Sequence, residues 1–171
     1  CGPTEFWRGQ LKFLVDSPDH LTTQENDLER KLDALATKDV NVKRLMTIPS
    51  VGRCTAEVVI ACIDDAKRFH NGREVSSYAG MVPHQYQSGE QDRRGRISKC
   101  GPKLLRKRLV ECSWLLLRHN PWGAQLHHKL SQGQKTRKKQ AGVDVARRLL
   151  VRCWAMLRDG TDSNAQLATV T

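Results

Sequence analysis

The sequence predicts a mainly α-helical domain that carries one small β-hairpin, and three observations support this. Apolar residues recur at three- and four-residue spacings along most of the 171 residues, aromatic residues make up only 5%, and residues 84–101, rich in glycine and arginine, interrupt the helical spacing. This length suits one domain with a real core plus a helical appendage.

The appendage comes first. From Asp19 to about Lys38 the spacing predicts an amphipathic helix, with Ser17-Pro18 as its start. Leu21, Leu28, Leu35 and Val42 repeat every seven residues, and Leu32 and Leu45 begin a second row. Such a row forms a coiled-coil seam. Gln24, Lys31 and Lys38 stand where the partner row needs apolar groups, so a helix packed on its own domain is the alternative. Residues 43–160 are read as the main domain, 1–42 as a separate leading segment and 161–171 as a tail.

"RLMTIPSVGRCTAEVVIACI", residues 44–63, predicts a helix ending near Met46, a tight turn from Ile48 to Gly52, and a second helix from about Arg53 to Ile63. This is a helix-hairpin-helix pattern, in which a glycine lets backbone approach a phosphate and the second helix's free N–H groups receive it. Gly52 and Arg53 are the candidate contacts. Ser50 replaces a glycine of the commoner form, and packing alone is the competing explanation. Two short helices fill residues 65–80, ending at Gly80. Strands at 84–88 and 95–99, joined by "GEQDRR", form the hairpin. A helix follows from Gly101-Pro102 to about His119, with Leu104, Leu105, Leu109, Cys112 and Leu116 on its apolar side and Lys103, Arg106 and Lys107 largely on another. Asn120-Pro121 starts the next helix, the basic loop 131–142 contains Lys135, Arg137, Lys138 and Lys139, and a last helix spans about Val143 to Leu157.

Charge narrows the function. The net charge is +11, and it is uneven: residues 1–83 hold 11 Lys/Arg against 12 Asp/Glu, whereas residues 84–158 hold 18 against 4. A neutral first half and a basic second half fit a polyanionic partner, because neutralising phosphates releases condensed counterions. The sequence contains no apolar run long enough for a membrane span, no signal-peptide pattern, no Walker or Rossmann glycine motif, and no cysteine or histidine spacing typical of zinc sites. The expectation is a cytoplasmic protein with six reduced core thiols and no cofactor bound by this chain.

Ser88 lies within eleven positions of Arg93, Arg94, Arg96 and Lys99. Serine is a poor nucleophile unless its charge is stabilised on attack, and arginine's planar fork suits phosphate oxygens. Residue types alone allow two readings: a serine attacking a DNA phosphodiester beside an arginine clamp, or a non-catalytic nucleic-acid-binding module whose hairpin grips backbone and whose serine ends a strand. His119, His127 and His128 lack a carboxylate partner at metal spacing, and Asp64-Asp65 reads most simply as a helix end and a cap.

Several motifs occur in order over roughly residues 45–160: I-P-x-V-G at 48–52, Y-A-G-x-V-P at 78–83, S-G at 88–89, R-x-G-x-I-S-K-x-G at 93–101 and R-H-N-P at 118–121. Together they resemble the C-terminal transposase domain of the bridge-RNA-guided insertion-sequence transposases related to pilin-gene invertases. The resemblance implies a DNA recombinase with Ser88 as the nucleophile that becomes linked to DNA. It also implies a ribonuclease-H-like domain, absent from these residues, that supplies acidic side chains and Mg²⁺, and a coiled coil joining the two, of which residues 1–42 are then the linker and end; the Leu21, Leu28 and Leu35 face is the expected contact between copies in a homo-oligomer. DNA and a guide RNA are the implied partners, and this chain alone is expected to be inactive. The chain begins Cys1-Gly2-Pro3 without a methionine, as an excised portion or a degenerate remnant of a longer protein would. Phosphate contacts are assigned to Arg93, Arg94, Arg96 and Lys99, with further backbone contacts from Arg106, Lys107 and residues 135–139.

Overall fold

Helices form wherever the apolar spacing runs at three and four, and the one interruption forms the predicted hairpin. In the computed structural model residues 3–88 and 91–163 are described, and side chains at all of these except 3–6, 16, 85–88 and 91–94. The helices are α1 (Pro3–Ala36), α2 (Val40–Met46), α3 (Arg53–Ile63), α4 (Gly72–Tyr78), α5 (Lys103–His119), α6 (Pro121–Ser131) and α7 (Lys138–Asp159). Strands β1 (Pro83–Ser88) and β2 (Gln91–Ile97) pair antiparallel between α4 and α5. The chain divides into two units, one ending at Asp39 and the other beginning at Val40.

The first unit is α1, and it starts sixteen residues before the predicted Asp19 and runs through Pro18. A proline inside a helix forfeits one amide donor, here the partner of the Leu14 carbonyl. The residues on both sides are good helix formers, and Ser17 Oγ and Thr22 Oγ1 donate to the Phe13 and Pro18 carbonyl oxygens at 2.7 and 2.8 Å. The start at Ser17-Pro18 is therefore corrected. Leu21, Leu28, Leu32 and Leu35 are all exposed, so the apolar row of α1 has no cover. Val42 and Leu45 do not extend that row, because both are buried in the second unit.

In the second unit α7 is the hub, packing against α2, α4, α5 and α6. Its inward side buries Val145, Leu149, Leu150, Cys153, Trp154 and Met156, and Trp154 Nε1 donates to the Ala66 carbonyl oxygen at 2.8 Å. Leu105, Leu109, Cys112 and Leu116 of α5 meet it, as their spacing predicts. Leu104 does not: it is exposed, because the buried row follows i, i+4 and i+7 from Leu105. α7 begins at Lys138 rather than at Val143: Gln132 (φ 49°) and Gly133 (φ 71°) end α6 at Ser131, close to the predicted end, and the Lys, Gln and Ala residues after Arg137 favour helix. Lys138 and Lys139 thus sit on a helix and not in a loop, while Lys135–Arg137 forms a 3-10 turn.

Cysteine placement also departs from expectation. Cys112 and Cys153 are buried thiols, but Cys54 and Cys100 are exposed, each lying near the end of an element and not in its core-facing row. Cys1 lies outside the described residues. No described helix is long and apolar enough to cross a membrane.

Candidate nucleic-acid interface

The hairpin is longer and tighter than the sequence suggests. Pairing runs Gln85 with Arg94, Tyr86 with Arg93, Gln87 with Asp92 and Ser88 with Gln91, so "QDRR" belongs to strand β2 and only residues 89 and 90 connect the strands. Those two residues lie outside the described set. The sheet consists of these two strands alone, so among the described residues no third strand limits how far the ladder runs. Ser98 and Lys99, expected in the second strand, lie beyond it. The register shifts once between Pro83 and Gln85, where two residues of β2, Gly95 and Arg96, stand against the single His84 of β1. The side chains of Ser88, Arg93 and Arg94 are outside the described residues, so the structure fixes only their strand positions.

The foot of the hairpin is built by backbone packed on backbone. Gly80 has φ +65°, and a Cβ there would lie 2.6 Å from the Cys100 amide nitrogen. At Gly101 a Cβ would overlap the Tyr78 carbonyl oxygen. The glycines of the Y-A-G and I-S-K-x-G motifs therefore serve one joint. Lys99 N donates to the Gly80 carbonyl oxygen at 3.0 Å and Ser98 N to that of Val82 at 2.9 Å. Arg106 Nη1 completes the joint by donating to the Ala79 and Gly101 carbonyl oxygens at 3.0 and 2.6 Å. Its guanidinium thus holds the hairpin on α5, while Arg96, Lys99 and Lys107 remain exposed.

The turn between α2 and α3 has an open N-terminus. Gly52 is exposed, precedes α3 with φ −86°, and a Cβ there would meet nothing within 4 Å. The residue in the left-handed region is Ser50, at φ 73°, which explains why a glycine suits that position. Arg53 Nη1 lies 3.7 Å from Glu57 Oε1, so it enters any phosphate contact already engaged.

Two further basic surfaces complete the second unit. Lys135, Arg137, Lys138 and Lys139 are exposed where α7 begins, and no acidic residue stands in its first turn. Positive side chains at the positive end of a helix repel one another and the dipole, and an anion relieves both. The second surface is a cleft of about 800 Å³ lined by Arg73, Arg147, Arg148 and Arg152 together with Val82, Trp122, Val151 and Ala155. The sequence reading overlooked it. The i, i+4 pair Arg148 and Arg152 was visible, but Arg73 joins it only through the packing of α4 on α7, where a Cβ at Gly72 would lie 2.7 Å from Val151 Cγ1. Beside the cleft Glu74 accepts from the His70 amide at 2.9 Å, which holds its carboxyl below the usual range.

Among the described residues no group of three or more His, Cys, Asp or Glu comes together to hold a metal ion. His127 Nε2 lies 3.1 Å from the Lys138 carbonyl oxygen, and the Asp65 side chain accepts from Lys67 N as a cap.

The relatives agree with the motifs. The chain is 30% identical over 144 residues to the transposase for insertion sequence element IS1328 of Yersinia enterocolitica, covering 83% of this chain and 43% of that protein. It is 39% identical over 93 residues to the transposase for insertion sequence element IS1111A of Coxiella burnetii, covering 54% and 26%. It is also 26% identical over 142 residues to the pilin gene-inverting protein of Moraxella lacunata, covering 82% and 44%. The chain thus spans less than half the length of each of these relatives. Residues 42–128, about half of the chain, match the family model of the IS116/IS110/IS902 transposases. This chain belongs to the IS116/IS110/IS902 transposase family.

Proposed function

We propose that this chain is the strand-cleaving portion of a DNA transposase and that Ser88 is its nucleophile. The observation that carries the reading is the hairpin: Ser88 ends its first strand, and the R-x-G-x-I-S-K-x-G motif occupies its second strand and its foot, anchored to the helical unit by Gly80, Gly101 and Arg106. A closely packed backbone joint beneath a two-stranded ribbon suits presentation of a side chain to DNA. In the reaction the serine oxygen bonds to phosphorus, one phosphorus–oxygen ester bond of the backbone breaks, and the released sugar oxygen takes a proton. Strand period favours Arg93 as the first charge partner, since position 93 is diagonal to position 88 across the ladder, about 7–8 Å away, and of the same parity. Arg94 has the opposite parity. Arg96, Lys99, Lys107 and the start of α7 supply backbone contacts, with Gly52 and Arg53 of the α2–α3 helix-hairpin-helix beside them.

An acidic domain of the full-length protein, binding Mg²⁺, acts with this chain, and a guide RNA is its second nucleic-acid partner. Copies associate through the exposed leucine row of α1. Sedimentation tests that last part: the whole chain is expected to sediment as an oligomer and residues 40–171 as a monomer, and equal states would remove it. Trapping a covalent DNA adduct in the full-length protein, with and without Ser88→Ala, tests the nucleophile.

A further inference from the structure

We propose that the cleft between α4 and α7 binds unpaired nucleotides of a single DNA strand, with bases against its apolar lining and phosphates on its arginines. The inference rests on the reading of the chain as a protein that acts on DNA, and it adds a binding site to the hairpin. Four cationic side chains, Arg73, Arg147, Arg148 and Arg152, line the cleft, and no carboxylate does. Arg147 is met by Asp144 at 3.1 Å, whereas Arg73 and Arg148 are exposed and have no carboxylate partner among the described residues. That much unbalanced positive charge calls for an anion.

The apolar lining says which anion. Trp122, Val82, Val151 and Ala155 share the concavity, and the Arg152 guanidinium lies over the Trp122 ring, 5.7 Å from its centroid. A duplex is a convex cylinder that offers phosphates and sugars, and it leaves such a hollow unfilled. Unpaired nucleotides offer phosphates together with flat apolar bases, the combination that single-strand sites collect with aromatic platforms and basic grooves. The volume, about 800 Å³, lies within the ~300–1,000 Å³ typical of sites for compact ligands. The other polar groups of the lining are occupied: Asn71 Oδ1 accepts from Arg73 N and Glu74 N, and Ser76 Oγ donates to the Gly72 carbonyl oxygen. Ser76 is buried, and both ends of the Asn71 amide are engaged, its Nδ2 donating to Glu74 Oε1, so neither is presented to a ribose 2′-hydroxyl and the cleft gives RNA no advantage.

Fluorescence anisotropy of the 171-residue chain with a labelled twelve-nucleotide thymidine strand tests this. The double variant Arg73→Ala/Arg148→Ala is expected to bind that strand about tenfold more weakly while holding a duplex of the same length within about twofold. Losing two phosphate contacts should also flatten the log–log salt dependence by about 1.4. An abasic strand, with the same phosphates and no bases, is expected to bind the unaltered chain at least about fivefold more weakly than the thymidine strand. Equal losses for strand and duplex, equal binding of the abasic strand, or a preference for a uridine RNA strand would each overturn the proposal. The abasic comparison needs no variant and so is immune to misfolding. Adduct formation by Ser88 is a separate readout, so loss of either result leaves the other standing.

Discussion

Arg106 Nη1 stands 3.0 Å from the Ala79 carbonyl oxygen, twenty-seven residues away in sequence, and the same nitrogen reaches the Gly101 carbonyl oxygen at 2.6 Å. One side chain of α5 thereby ties the residue before β1's entry loop to the residue after β2's exit. Replacing it with methionine keeps the stem and removes the donors, leaving two partly buried carbonyls unpaired. Arg106→Met is expected to cost about 1–3 kcal/mol and to lower Tm by roughly 3–10 °C, with faster amide exchange at Lys99 than in α7. An unchanged Tm would show that the joint stands without this residue.

Ser50→Gly should stabilise the protein. Ser50 has φ 73°, which costs an L-residue about 1–2 kcal/mol, and its Oγ is buried without a hydrogen-bond partner. Glycine removes both costs and adds flexibility to the unfolded chain, so the expected net gain is about 1 kcal/mol. Thermal unfolding reads the sign directly.

Cys153 predicts how stability changes in alkaline solution. Burial pushes its thiol up to about 12 from 9.0. The folded-state pKa is raised, so the contribution is fully present below pH 9 and is lost as the unfolded chain ionises and the folded one does not, up to pH 12. Urea titrations should show stability falling through that window by up to about 4 kcal/mol more than in Cys153→Val, which carries no titrating thiol. Parallel curves for the two proteins would contradict this.

Most of the helical architecture was legible because burial repeats at helical spacing: α3, α5 and α6 lie close to where the apolar rows put them. What the sequence hid was set by partners distant along the chain or by local competition. Pro18 reads as a start signal, yet a single lost hydrogen bond does not stop a helix with good formers on both sides. Arg106 reads as a charge on the polar side of α5, and only the fold shows that it serves Ala79 and Gly101. The arginine cleft needed α4 laid against α7 before Arg73 could join Arg148. Gly80 and Gly101 were visible as motif letters, and their shared reason, one backbone-on-backbone joint, was not. Ser88 differs from all of these, for residue types left its role open and the family resemblance chose it.

The most direct test of the central claim is the covalent adduct. This chain, joined to the acidic domain of its full-length protein, is given Mg²⁺, guide RNA and cognate DNA. Denaturing electrophoresis then detects DNA held covalently on protein, and mass spectrometry of the digested adduct locates the linkage. A nucleotide-bearing peptide containing Ser88, together with loss of the adduct in Ser88→Ala, is the predicted result. An adduct that survives Ser88→Ala, or a linkage mapped to another residue, would contradict it.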